Sequence, residues 1–433
     1  MASSTRQAKV ALALLFAINL MNFYDRQVLG AVGEKIKVEW QLTDGQLAGL
    51  TTAFVLLYAF VGIPLGRLAD IGSRRKILAV GVTVWSAFTA LSGLATSFAQ
   101  MVFYRLGVGV GEASAAPAAN SLIGDLFPPA QRARAISVFM LGLPLGLGAS
   151  YIVSGLIAQA TGGWRPALFV AAVPGILLGV LAWFLPEPVR GAKDPDVAMR
   201  PRTSVESIRA VLKIRTMWWI IASGAIYNLN MYALGAFHTS FLIRYHGLNI
   251  DIANRFSGTI FGLGGAIGML FGGWLGDKLS VRGPGARLAV AAVACLLTAP
   301  LVWIALQQPR GDYWQFAALM FAGCTLMYAY YSTVYATIQD LVEPQSRGTA
   351  MAVYFFVFYM FTALGLVLFG KLSDARSAAA TAAGATPADA RAFGLHDALY
   401  SVPVLCVVLV FVLWMGSRTA ARDHKRLREQ TTS

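Results

Sequence analysis

Twelve predominantly apolar stretches of about 20 residues, each long enough to cross a bilayer, run through this 433-residue chain. They cover 10–31, 46–69, 77–97, 100–125, 134–158, 166–185, 217–243, 255–276, 287–306, 314–340, 347–370 and 398–416. Hydrocarbon offers no water to backbone groups, so such runs fold as helices. The expected fold class is an all-α membrane protein with twelve transmembrane helices. Composition agrees, because 57% of the residues are AVILMFWYC and only 13% are charged. Too few charges are present to cover that apolar surface in water. The apolar run after the first nine residues lacks a small-residue cleavage site and is expected to be the first span, not a removable signal.

The formal net charge of +14 is concentrated in loops that share a side with the termini. This is the positive-inside pattern, which predicts a multi-pass protein of the plasma (inner) membrane with both termini cytoplasmic, and argues against nucleic-acid binding. Cys295, Cys324 and Cys406 lie in apolar runs and read as buried hydrophobes. With no Cys/His cluster, no metal site or cofactor is expected.

The two halves of the chain echo each other. Asp125-Leu126-x-x-Pro129-x-x-Arg132-x-x-Ala135 recurs as Asp340-Leu341-x-x-Pro344-x-x-Arg347-x-x-Ala350, displaced by 215 throughout. Gly66-x-Leu68-Ala69-Asp70 recurs as Gly273-x-Leu275-Gly276-Asp277, displaced by 207. Two parallel six-helix repeats, pseudo-symmetric about an axis along the membrane normal, are predicted. The implied division is a first bundle over 1–186, a linker over 187–216, a second bundle over 217–417 and a basic cytoplasmic tail over 418–433. In the linker, Thr203-Ser204-Val205-Glu206 has the spacing of a capping box and predicts a short helix to about Arg215, either lying on the membrane surface or solvated. The Ala-rich stretch 377–390 is expected to be an irregular external loop.

Gly66-Arg67-Leu68-Ala69-Asp70-Ile71-Gly72-Ser73-Arg74-Arg75-Lys76 resembles the signature loop between helices 2 and 3 of the major facilitator superfamily, with Ser73 where glycine is usual. Further segments resemble the spinster-like transporters: Asn22-Phe23-Tyr24-Asp25-Arg26, Gly107-x-Gly109-x-Gly111-Glu112-Ala113, Pro144-x-Gly146-x-Gly148, Gly163-Trp164-Arg165 and Pro186-Glu187-Pro188-x-Arg190-Gly191. The resemblance implies proton-linked movement of lysophospholipids or sphingosine phosphate. Organic-anion symporters of the superfamily carry a similar Tyr-x-Asp-Arg in helix 1, which keeps a small-anion substrate open as the alternative.

Asp25, Arg26, Arg105 and Glu112 lie within the spans of the first half, where each charge costs about 2.5–3.5 kcal/mol or more and needs partners or water. Asp25 is about six residues, roughly 9 Å, short of the outer end of the first span. Arg105 is about five residues past the outer start of the fourth, so Asp25 and Arg105 match in depth. Glu112 shares the face of Arg105 about 10 Å deeper, within reach of Arg26. Burial disfavours a carboxylate's charge and a neighbouring guanidinium favours it. Asp25 and Glu112 are therefore the candidate proton carriers. Arg26 and Arg105 are their charge partners or ligands for an anionic head group. A permanent network locking helix 1 to helix 4 is the competing reading.

In the second half the polar groups are of another kind. Tyr328, Tyr331 and Tyr335 share a helix face, and Asn228, Tyr232 and His238 lie on the seventh span. With Asn22 and Tyr24 they are the cavity-lining candidates, since mid-membrane polar groups need partners; ordinary packing is the alternative. In the loops on the terminus side, Asp70, Arg74, Arg75, Asp125, Arg132, Asp277, Asp340 and Arg347 are candidate gating residues, expected to form ion pairs between neighbouring helices or to serve orientation alone.

The sequence therefore predicts a proton-coupled secondary transporter working by alternating access, a monomer whose partners are protons, membrane lipid and a small amphipathic anionic or zwitterionic substrate. It is not expected to be an enzyme, because no phosphate-binding loop, metal spacing or nucleophile–base pair is present and no catalytic residue is assigned.

Overall fold

The computed structural model describes residues 2–189, 204–342 and 347–432. Among them every regular element is helical. Eleven helices are long and apolar enough to cross a membrane. The remaining span, the fourth in chain order, is built from two pieces, α4 (Phe98–Glu112) and α5 (Ala115–Leu126), each too short alone. The twelve-helix architecture therefore stands, and the protein is a multi-pass membrane protein.

The breaks have a common cause. Pro117 is the third residue of α5, Pro144 the third of α7 (Gly142–Thr161) and Pro403 the third of α17 (Ser401–Thr432). Proline lacks the amide hydrogen, and its ring collides with the carbonyl four residues back, yet it fits the first turn of a helix. In each case the preceding helix stops at or one residue before that carbonyl: α4 at Glu112, α6 (Pro129–Met140) at Met140 and α16 (Pro387–Leu399) at Leu399.

Cα positions group into two compact units. The first comprises residues 1–198, 236–240 and 249–258. It contains α1 (Ala2–Trp40), α2 (Asp44–Ile71), α3 (Arg74–Gly93), α4 to α7, α8 (Arg165–Ala182) and α11 (Ile250–Gly258). Within it α1 packs on α7, α3 on α4 and α8, and α2 on α4. Thr43 opens α2 with a full capping box, its hydroxyl accepting from Gln46 N while the Gln46 side chain accepts from Thr43 N. The approach of α1 to α7 is close enough that a Cβ on Gly146 would lie 2.2 Å from the Leu20 carbonyl oxygen. Backbone cannot swing aside as a side chain does, so Gly146→Ala is expected to cost about 1–3 kcal/mol as an overpacking substitution, read as a lowered thermal midpoint in detergent.

The second unit comprises 199–235, 241–248 and 259–433. The short linker helix forms as α9 (Ser204–Leu212). It packs on α15 (Arg347–Ala382), burying Val211 and leaving Ile208 open. Thr203, and with it the expected capping box, lies outside the described residues. α10 (Arg215–Arg244) follows, then a π-helical stretch (Thr259–Gly264) leading into α12 (Gly265–Ser280), α13 (Ala286–Leu306) and α14 (Tyr313–Leu341).

One expectation is corrected. The Ala-rich stretch 377–390 is not an irregular loop: α15 continues through Ala382, and α16 begins at Pro387. Alanine is the strongest helix former, and nothing interrupts it until Gly384, which takes φ +91°. Thr386 then caps α16 by accepting from Asp389 N. The basic stretch from 418 continues α17 to Thr432.

Candidate functional site

In the first unit α1 presents Asn22, Asp25 and Arg26 at spacings of three and four, which puts them on one helix face. α4 presents Arg105 and Glu112 seven residues apart on one of its own faces. The structure joins Arg26 to Glu112: the guanidinium Nε donates to Oε2 at 2.8 Å, with side-chain exposures of 7% and 0%. The same guanidinium lies over the rings of Tyr58 at 4.5 Å, Phe23 at 5.0 Å and Phe54 at 5.4 Å. Desolvated cation–π contacts of this kind are worth about 2 kcal/mol. The Arg105 guanidinium also lies over Phe54, at 5.1 Å. Asn22 is buried close to Glu112.

Asp25 lies near residues of both α4 and α3. Its side chain is fully buried, and among the described residues neither carboxyl oxygen has a hydrogen-bond partner. Arg105 and Glu112 act on it electrostatically from α4, while Trp85 and Thr89 of α3 stand beside it without closing a hydrogen bond. Phe54, Tyr58, Trp85 and Thr89 are members of the site that the sequence reading missed. Their only signal is the helical spacing of Trp85 with Thr89 and of Phe54 with Tyr58, which ordinary packing also produces.

Several cavity-lining candidates are closed into helix packing. The Tyr24 hydroxyl meets Ser154 Oγ at 3.1 Å on α7. His238 Nδ1 meets Ser257 Oγ at 2.8 Å, and Thr239 next to it donates to Asn254 Oδ1 at 2.9 Å. Asn228 donates to Thr362 Oγ1 at 2.6 Å, and Tyr328 is fully buried. Tyr232 and Tyr335 keep part of their surface open, while Tyr331 is 9% exposed. The tyrosine stripe of α14 is nonetheless continuous, with centroid distances of 5.9 Å from Tyr328 to Tyr331 and 5.6 Å from Tyr331 to Tyr335. Tyr227 and Tyr330, outside that stripe, stack at 3.9 Å. The Tyr330 hydroxyl is shared with Ser223 at 2.8 Å and Tyr354 at 3.2 Å.

On the terminus side each unit carries an arginine at the start of one helix bonded to the aspartate that ends the next span. In the first unit Arg74 Nη1 donates to Asp125, Nε to Glu187 Oε1 at 2.8 Å, Nη1 to Ser121 Oγ at 3.1 Å and Nη2 to the Pro188 carbonyl at 2.5 Å. Partial burial works against the charge of Glu187. Hydrogen bonds from the Arg74 side chain, Arg75 N and Ser73 Oγ nevertheless hold its carboxyl below the usual range. In the second unit Arg287 bonds to Asp340 and, at 2.8 Å, to Asp277. Glu187 and Arg287 were not among the sequence candidates. The side chains of Asp70, Arg132 and Arg347 lie outside the described residues, and Arg75 is partly exposed with its guanidinium reaching the Leu185 carbonyl at 3.4 Å.

Comparison with known proteins agrees with this architecture. The sequence profile of the Major Facilitator Superfamily matches residues 15–366. Protein spinster homolog 3 of Danio rerio is 30% identical over 390 residues, covering 86% of this chain and 78% of its own length. An MFS-type efflux pump of Mycolicibacterium smegmatis is 28% identical over 431 residues, covering 96% and 94%. A sphingosine-1-phosphate transporter of Xenopus tropicalis is 28% identical over 389 residues, covering 85% and 74%. The crystal structure of a bacterial homolog of the human lysosomal transporter Spinster, in an inward-facing and unoccupied conformation, superposes with a TM-score of 0.85 at 26% identity, covering 96% of this chain and 98% of that one. Twelve helices, the superfamily profile over most of the chain and these relatives together make the chain a member of the Major Facilitator Superfamily, a spinster-like transporter and not an enzyme.

Proposed function

We propose that this protein is a proton-coupled transporter of an amphipathic substrate with an anionic or zwitterionic head group, a lysophospholipid or sphingolipid-like molecule, working by alternating access. The observation that carries this reading is the fully buried carboxyl of Asp25, without a hydrogen-bond partner among the described residues, beside the Arg26–Glu112 pair. A static structural lock gains nothing from a carboxyl left unbonded, since an unsatisfied buried polar group is a cost. A group that takes up and releases a proton as its surroundings change requires such a setting. Glu112 shares that role through its exchangeable partner Arg26. The two guanidiniums supply permanent positive charge for a phosphate or carboxylate head group, and the aromatic rings beneath them line its approach with apolar surface. The sphingosine-1-phosphate transporter among the relatives supports a substrate of this class.

The test is purified protein in liposomes under an imposed proton gradient, offered a lysophospholipid, sphingosine phosphate and a panel of small dicarboxylates. Proton movement coupled to the lipids alone is the expected result; coupling to the dicarboxylates alone overturns the substrate class, and substrate flux without proton movement overturns the coupling.

A further inference from the structure

On the surface of the first unit α3 and α8 flank an open groove of about 450 Å³. Val80 and Val84 form one wall; Val180, Trp183 and Phe184 form the other. At its floor Gly179 lets the helices meet, since a Cβ there would come within 2.4 Å of Thr83 Oγ1. The walls are open to the exterior of the chain, Val80 at 52% and Phe184 at 75% exposure, and this exterior faces hydrocarbon.

What sets this groove apart from the rest of the apolar surface is its charged end. Lys76, Val80 and Val84 are spaced by four, so they form one stripe along α3. Lys76 thus stands at the N-terminal end of this stripe, roughly 12 Å of helix from Val84. Lys76 is exposed. Arg75 reaches from the start of α3 to the Leu185 carbonyl, one residue past Phe184, which places its guanidinium across the groove's mouth. The acid at that end, Glu187, has both carboxyl oxygens engaged by Ser73, Arg74 and the Arg75 backbone. Both cations sit at the head-group level where α3 begins, with Trp183 at the same end in the position of an interfacial aromatic.

We propose that this groove binds one anionic phospholipid of the surrounding bilayer, an acyl chain along Val80, Val84 and Phe184 and the phosphate on Arg75 and Lys76. Two cations flanking an apolar slot are complementary to a head group joined to a chain; neither a free anion nor an uncharged lipid uses both parts. The site is separate from the buried cluster of α1 and α4 and holds its lipid whichever substrate is carried.

Native mass spectrometry of the full chain, titrated in detergent with phosphatidylglycerol or phosphatidylcholine, tests the assignment. One phosphatidylglycerol is expected to be retained with roughly tenfold or greater preference, from two cations near the membrane surface. Arg75→Gln with Lys76→Gln is expected to abolish the preference while leaving residual binding of both lipids. Val180→Trp, on the lipid-facing wall, is expected to displace the bound lipid whatever its head group, while Val293→Trp on α13, 54% exposed, leaves it in place. Equal retention of the two lipids by the wild type overturns the proposal, as does retention indifferent to Val180→Trp in protein with an unchanged thermal midpoint. Displacement by glycerol phosphate alone overturns the part assigned to the acyl chain.

Discussion

Replacing Glu112 by glutamine is expected to abolish proton-driven accumulation of substrate in liposomes while substrate exchange across the same membrane, with no gradient imposed, persists. The amide keeps the size of the carboxylate and can still accept from Arg26 Nε, so the side-chain bridge from α1 to α4 survives. It cannot carry a proton between the two sides. The substitution also leaves the Arg26 charge buried at 7% side-chain exposure without its counterion. Removing one partner of a buried pair costs about 3–5 kcal/mol. The rings of Phe23, Phe54 and Tyr58 around the guanidinium are expected to hold the loss to the lower part of that range. Glu112→Ala, which removes the acceptor as well, is expected to fall at the upper end and to lower the yield of folded protein. Accumulation equal to wild type in Glu112→Gln and also in Asp25→Asn means that the cluster is a structural lock. Loss of exchange together with accumulation means that the variant has failed in binding and not in coupling.

The second large effect is an asymmetry between the two units. Arg74→Gln is expected to lower stability by about 3–5 kcal/mol, as for a buried pair, whereas Arg287→Gln is expected to cost about 0–1 kcal/mol, as for exposed pairs. The two arginines have equivalent roles, each tying the start of one helix to the aspartate ending the next span. Their surroundings differ. Arg74 is 1% exposed and meets Asp125 at 12% and Glu187 at 26%, with a serine hydroxyl and a carbonyl oxygen as further acceptors. Arg287 is 18% exposed and its partners Asp277 and Asp340 are 71% and 54% exposed, where water screens the attraction. Thermal unfolding of the two variants in one detergent provides the comparison. Salt separates them further: the midpoint of wild type relative to Arg287→Gln is expected to converge as ionic strength rises, while that relative to Arg74→Gln stays apart. Equal destabilisation by the two changes means that exposure does not set the strength of these pairs.

Much of the fold was readable from the order of residues. Run length identified the spans, and the displacements of 215 and 207 showed the repeat. What run length missed were the ends and the interruptions. Apolar content says nothing about the next turn of a helix in water or at the membrane surface, so α15 and α17 extend well past their apolar cores. The breaks before Pro117, Pro144 and Pro403 follow from backbone sterics, but Pro64, Pro174 and Pro300 lie inside unbroken helices. Proline marks where a break is permitted, and neighbouring packing selects among such places.

The buried charge cluster was legible in membership and only partly in pairing. Charges in an apolar run are conspicuous because hydrocarbon makes them costly, and helical rise gave depths good enough to match Arg26 with Glu112. Depth does not say which way a side chain turns about its helix axis. That rotation, set by the packing of α1 on α7 and of α3 on α4, turns Asp25 toward Trp85 and Thr89 and brings Phe54 and Tyr58 under Arg26. It likewise hides His238 and Asn228 among hydroxyl partners and leaves Tyr232 partly open. Chain order alone therefore determined that this protein crosses a membrane twelve times in two echoing halves, because solvation free energy is summed residue by residue along the chain. Which charge meets which, and which polar group stays without a bond, was decided only by the tertiary structure, because those contacts depend on the mutual rotation of helices that are distant in sequence.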